Sequence, residues 1–302
     1  MISLQIEIFL LIAVGYILAK KGYFDKTTRT QLTNIVLMVI LPCSIVKSFQ
    51  IEMNKDILIS TFMILIISFA IQLLYFVFNK FLYQNLDHDK KICCQYGTMV
   101  SNAGFLGMPI AQGVFGSMGL LYASIFLIPQ RIFMWSYGLS LFAKNKQNHV
   151  LKQVLTHPCI IAIYIGIVVM ILKSFGIELP TPINSTISAI AQCNTAMSMF
   201  VIGGILSDVN REEMVDKDAF VYSFYRLIVL PLVIMMILRI LHITTLPANV
   251  CILLSAMPAA STTAMLAQKY DGNALFASKL VFISTLLSLI TLPLITLLFQ
   301  TI

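Results

Sequence analysis

Apolar residues run along this chain in long blocks separated by short polar interruptions. Ten blocks stand out, at about 3–19, 30–49, 57–78, 92–115, 118–143, 158–176, 184–206, 218–241, 247–268 and 274–299. Each approaches the ~20 residues that a helix needs to cross a bilayer. The longest interruptions, 79–91, 144–157 and 207–217, are about a dozen residues each, too short for an extramembrane enzyme domain. The one at 144–157 is a candidate short interfacial helix. The first block carries Gln5 and Glu7 and runs into Lys20 and Lys21 with no small-residue cleavage site. It is therefore expected to be a retained span rather than a signal peptide.

Composition narrows the class. Of 302 residues, 59% are hydrophobic and 11% charged, where soluble domains carry roughly 25% charged residues. These numbers exclude a soluble domain and a disordered chain, and six Cys are too sparse for a disulfide scaffold. The net charge of +7 belongs to cytoplasmic loops rather than to a nucleic-acid footprint. Thirteen basic residues flank the odd-numbered loops: Lys20, Lys21, Lys26, Arg29, Lys80, Lys90, Lys91, Lys144, Lys146, Lys152, Arg211, Lys217 and Lys269. Only Lys47, Lys55, Lys173 and Arg239 lie on the other side. This bias puts the odd loops in the cytoplasm and both termini outside, in a cell (plasma or inner) membrane.

The two halves echo one another at an offset of 154 residues. Gly119-Leu-Leu-Tyr-Ala-Ser124 opens the fifth block and Asn273-Ala-Leu-Phe-Ala-Ser278 the tenth, while Gly22 falls opposite Gly176. The repeat divides the chain into 1–151 and 152–302. Five spans per half is odd, so the second copy must sit inverted. Inverted repeats with a substrate near the midplane are the usual build of secondary transporters, although duplication also builds channels and membrane enzymes.

The fourth and ninth blocks are the least lipid-like. The fourth holds Gly97, Gly104, Gly107, Gly113, Gly116 and Pro109 beside Ser101, Asn102 and Gln112; the ninth holds Pro258 followed by Ser261, Thr262 and Thr263. Proline and glycine interrupt helices, and freed backbone groups in hydrocarbon must be satisfied by protein or by a water-filled cavity. Paired breaks in corresponding spans mark a transporter binding site. A half-helix starting near Pro109 or Pro258 would offer unpaired N–H groups and a positive dipole end, which suits an anion such as a carboxylate. Asn102 and the three hydroxyls are candidate donors. Each proline taken singly also fits a packed kink.

Ser101-Asn-Ala-Gly-Phe-Leu-Gly-Met-Pro-Ile110 resembles the fourth-span signature of the auxin efflux carrier family, which includes malonate-permease-like bacterial members and the plant PIN proteins. The stretch from Met257 to Tyr270 resembles that family's ninth span, and Ser284–Pro293 its tenth; Arg226–Pro231 and Val201–Gly204 also fit. The resemblance covers essentially the whole chain. It implies an all-α polytopic fold of ten transmembrane helices in two inverted five-helix repeats, similar to bile acid/Na+ symporters, with broken crossover helices in spans four and nine. It further implies an elevator mechanism, in which a transport domain (57–143 and 218–299) moves against a scaffold (1–50 and 158–206) that dimerises. The implied substrate is a small organic anion, auxin-like or a mono- or dicarboxylate such as malonate. By motif position Asn102, Pro109 and Pro258 carry over as crossover-site residues, with Gly104 allowing close backbone approach and Ser261 a donor. The chain departs from the pattern in its short loop at 144–157 and in Ala196, where many members have proline.

Four charges fall within or at the ends of spans, and an intramembrane charge is a functional candidate by default. Arg131, in Ile128-Pro-Gln-Arg131, is expected to face protein and is a candidate countercharge for a substrate carboxylate. Arg226 lies eight residues into its span, ~12 Å along it; it either faces the interior or snorkels to the interface. Lys279 is expected to snorkel. Glu7 is expected to be an interfacial carboxylate, with proton coupling as the alternative. Cys93-Cys94 and His88, His149, His157 and His242 lack metal-ligand spacing. No phosphate-binding Gly-Lys-Ser/Thr loop and no acid–base pair is present, so neither ATP-driven transport nor enzyme activity is expected. No cofactor or metal is expected, and the coupling ion, H+ or Na+, stays open. The sequence thus points to a secondary carrier, with a channel or membrane sensor on the same fold as the rival.

Overall fold

A computed structural model describes residues 2–52, 54–142, 150–207 and 216–298. The described residues are helical with short connections, as expected for a polytopic membrane protein. Six continuous helical stretches are long and apolar enough to cross a membrane: Thr27–Ser48, Lys55–Phe78, Ala103–Phe142, Thr181–Ser207, Lys217–Ile240 and Ala274–Leu298. Ile2–Lys20 is a further 19-residue helix, and Pro158–Ser174 and Leu246–Ser255 are shorter apolar ones. The 40-residue stretch is not one rod. Gly116, at φ 66° and ψ −156°, breaks it where the sequence separates its fourth and fifth blocks. Val150–Leu155 is a six-residue helix, while residues 144–149 of the interfacial candidate, with Lys144, Lys146 and His149, lie outside the described residues, as does Arg211.

Proline shapes several helices. Five-residue π-helical turns at Val36–Ile40, Ala103–Gly107 and Tyr225–Val229 stand immediately before Leu41-Pro42, Met108-Pro109 and Leu230-Pro231. A proline lacks the N–H and collides with the carbonyl one turn back; a widened turn absorbs both defects without ending the helix.

The chain packs as two compact units. The first gathers Met1–Met63, Met108–Ile125 and Leu155–Asp208. In it the Ile2–Lys20 helix lies against Asn194–Ser207 with backbones touching: a Cβ at Gly15 would strike the Phe200 backbone and one at Gly203 the Ile12 carbonyl. The buried Arg29 guanidinium donates to the Gly204 carbonyl. Gly166 accommodates the Phe49 ring, 2.7 Å from where its Cβ would be. Two helix ends in this unit close identically. Gly22 and Gly176 have φ of 79° and 75°, and Tyr23 N–H donates to Leu18 O as Ile177 N–H does to Leu172 O. These are Schellman closures, at the very positions the 154-residue offset pairs.

The second unit gathers Ile64–Gly107, Phe126–Val154 and Val209–Ile302. One end is fastened by Lys90, which donates to Asp218 at 2.6 Å and lies 3.5 Å from Asp216 and 5.0 Å from the Phe276 ring centre. Asn79 and Gln95 tie the neighbouring helices by exchanging side-chain amide bonds to each other's backbone carbonyls, at 2.9 and 2.8 Å. Cys93 and Cys94 are buried in the helix packing.

Candidate functional site

The least lipid-like blocks are the ones that unwind. His88–Met99 ends at Val100, whose φ of −120° is extended, and the helix resumes at Ala103–Gly107. Leu246–Ser255 likewise ends, and Thr262–Lys269 follows it. The two extended segments pass antiparallel within the second unit, with Ser101 opposite Ala259. Asn102 N–H donates to Pro258 O at 2.8 Å, and Ala260 N–H donates to Val100 O at 3.3 Å. Each break thereby supplies partners for the other's freed backbone, as an apolar interior demands.

Side chains complete the pairing. Gln130 donates to the Ser101 carbonyl at 2.8 Å while its own carbonyl oxygen accepts from the Ser101 hydroxyl at 3.1 Å. The Ser284 hydroxyl accepts from Ala259 N–H at 3.2 Å. Gln130 and Ser284 are themselves 154 residues apart, so each half of the chain tethers its own break with a side chain from further along the same half. The sequence reading missed both. Gln130 stood in the shadow of Arg131, and Ser284 resembled an ordinary span serine; the repeat offset was the signal that links them.

Two helices start from this crossing. After the first break the opening helical bonds are those of Leu106 and Gly107 N–H to Asn102 O; after the second they are Thr263 to Ala260 O and Ala264 and Met265 to Ser261 O. The amides of Ala103–Phe105 and of Ser261 and Thr262 precede those bonds, and with them comes the positive end of each helix. Both helix starts lie within three residues of the bridge. Asn102 and Ser261 are half-buried, and neither side chain hydrogen-bonds within the described residues.

Gly104 sits in the first turn after the break. A Cβ there would lie 3.7 Å from an Arg131 terminal nitrogen and 3.6 Å from Leu127. The buried Arg131 guanidinium thus flanks the opening turn of a half-helix, and Pro258 lies in the extended segment. Pro109 does not mark a break. It sits in the second residue of the Met108–Phe133 helix, buried, and packs with the first unit, because the π-turn before it absorbs its defects. Thr262 accepts from the Tyr96 hydroxyl at 3.2 Å, which leaves its own O–H to donate, and Thr263 is fully buried, so among the three hydroxyls Ser261 alone is both half-exposed and without a hydrogen bond. Arg226 is 1% exposed and does not snorkel. Lys279 is half-buried and Glu7 exposed. His157 caps Pro158–Ser174 by accepting from Cys159 N–H.

The family model described as "Membrane transport protein" matches residues 1–153 and 147–296. An uncharacterized transporter of Methanothermobacter thermautotrophicus is 26% identical over 294 residues, covering 96% of this chain and 95% of the relative. One of Methanocaldococcus jannaschii is 24% identical, covering 95% of each. The uncharacterized transporter YfdV of Escherichia coli K12 is 21% identical, covering 96% of this chain and 94% of YfdV. These proteins are transporters rather than enzymes, as the absence of an acid–base pair led us to expect. The unwound, mutually paired spans and the match along nearly the whole sequence lead to one conclusion: the chain belongs to the auxin efflux carrier family of membrane transport proteins.

Proposed function

We propose that this protein is a secondary transporter of small organic anions, binding its substrate where the two unwound segments cross. The observation that carries this reading is the pair of helix starts beside one bridge, with the Asn102 and Ser261 side chains uncommitted. Partly positive amides and neutral donors suit a carboxylate, and Arg131 beside Gly104 adds a full positive charge. Asn102, Gly104, Pro258, Ser261 and Arg131 form the site, with Pro109 shaping the helix that leaves it. In this reading ten spans form two inverted repeats, with both termini outside the cell membrane, and the transport domain rides against a dimeric scaffold in elevator fashion. The matched helix closures at Gly22 and Gly176 and the matched tethers at Gln130 and Ser284 support the repeat.

Malonate and indole-3-acetate serve as probes, each screened with and without Na+ and across pH. A bound ligand raises the unfolding temperature by mass action, and counterflow in proteoliposomes reports transport. The Asn102→Leu variant is expected to express normally and to lose both responses. Retention of the full thermal shift by that variant would contradict the crossing as the site, and ohmic single-channel current would replace the carrier with a channel.

A further inference from the structure

The charge buried deepest in the described residues is Arg226, and no carboxylate pairs with it. One terminal nitrogen donates to the Tyr75 hydroxyl at 2.9 Å, and the guanidinium carbon lies 5.0 Å from the centre of that ring. Its Nε is buried with no hydrogen-bond partner, as is the hydroxyl of Tyr222 one turn earlier. The Tyr83 ring lies 6.1 Å from that of Tyr222. Among the described residues the buried charged side chains are Arg29, Arg131 and Arg226; no Asp or Glu is buried. A guanidinium enclosed in apolar surroundings without a carboxylate is costly, and packing alone would be served better by an apolar side chain.

The cluster leans on the crossing. A Cβ at Gly97 would stand 2.7 Å from the Tyr222 hydroxyl, and the Tyr83 hydroxyl pairs with Thr98 at 3.1 Å. Gly97 and Thr98 lie in the last turn of His88–Met99, and Gly97 is only about 5 Å of helix axis before Val100. That helix points its partly negative C-terminal end at the crossing, where it opposes an anion.

We propose that Arg226 is a specificity-determining residue. Without touching the substrate, its uncompensated charge offsets the negative end of the first half-helix and sets the crossing to favour anions. The inference rests on the carrier reading above and assigns the source of its charge preference.

Because Coulomb energy scales with ligand charge, a field effect has a signature that a packing defect lacks. The probes are malonate, with two charges, and malonamate, with one charge at nearly the same size. Loss of the charge in Arg226→Gln is expected to weaken malonate binding about tenfold and malonamate binding about threefold. Arg226→Lys is expected to keep both near the parent values. Gln72, one turn before Tyr75 and buried with an unpartnered carbonyl oxygen, gives a second route. Gln72→Glu places a carboxylate on the Tyr75 face of the helix and is expected to reproduce the unequal loss with Arg226 in place, including where Arg226→Gln does not fold. Equal losses for the two ligands, or none, would overturn the inference alone. Failure of the parent protein to bind either probe would overturn the carrier reading and this inference with it.

Discussion

Gln130 shows how one side chain decides whether a broken helix is tolerable. It satisfies both the carbonyl and the hydroxyl of Ser101 and is itself buried. Gln130→Leu keeps the volume and orphans two polar groups. Each orphan costs about 1–3 kcal/mol, so a clear drop in detergent unfolding temperature is expected. Ser284→Ala removes one acceptor, for a single amide at 3.2 Å, and should lower it less. At this scale the sequence was legible wherever a residue was odd for its block. Asn102 and Pro258 stood out as polar and helix-breaking residues in apolar runs. Nothing in the sequence reveals that Tyr96, 166 positions earlier, donates to the Thr262 hydroxyl.

Among elements, the informative comparison is between a break and a bend. Pro109 suggested a half-helix start, yet the chain unwinds at Val100–Asn102 and the π-turn carries the helix through the proline. A proline announces a defect in the backbone ladder, and neighbouring turns decide whether it is absorbed. Close helix approach was equally hidden. Gly203 faces the Ile12 carbonyl so closely that any Cβ forces the backbones apart. Gly203→Ala is therefore expected to destabilise by about 1–3 kcal/mol, measured by thermal unfolding. The Lys90–Asp218 pair is a weaker fastening. Its side chains are 25% and 32% exposed, so a double-mutant cycle with Lys90→Gln and Asp218→Asn should give less than about 1 kcal/mol of coupling. The Asp218 hydrogen bond raises the Lys90 ammonium above its ordinary value. On the alkaline side the bridge's contribution therefore persists through the neutral range and is lost as pH rises through the raised pKa of Lys90.

For the molecule as a whole, hydropathy alone supplied the class, and the ten blocks match where helices lie. Continuous helices count differently from blocks: six stretches are long and apolar enough, because unwound segments shorten some blocks, and the fourth and fifth run on into one 40-residue stretch despite the kink at Gly116. The proposed orientation makes a direct prediction. In a cysteine-free background, Glu178→Cys should react with a membrane-impermeant maleimide added outside intact cells, while Asp87→Cys should react only after lysis. The opposite pattern would invert the topology.

The antiparallel bridge between Ser101 and Ala259 joins residues from opposite halves of the chain. Neither half translated alone can fill its own vacancy: Asn102 N–H lacks Pro258 O, and Ala260 N–H lacks Val100 O. A half-length product would therefore hold unpaired amides in hydrocarbon and become a substrate for membrane quality control. Two separately encoded halves should be rescued only when made together. If the chain arose by duplication, the same vacancy would have tied its single-copy ancestor to life as a pair.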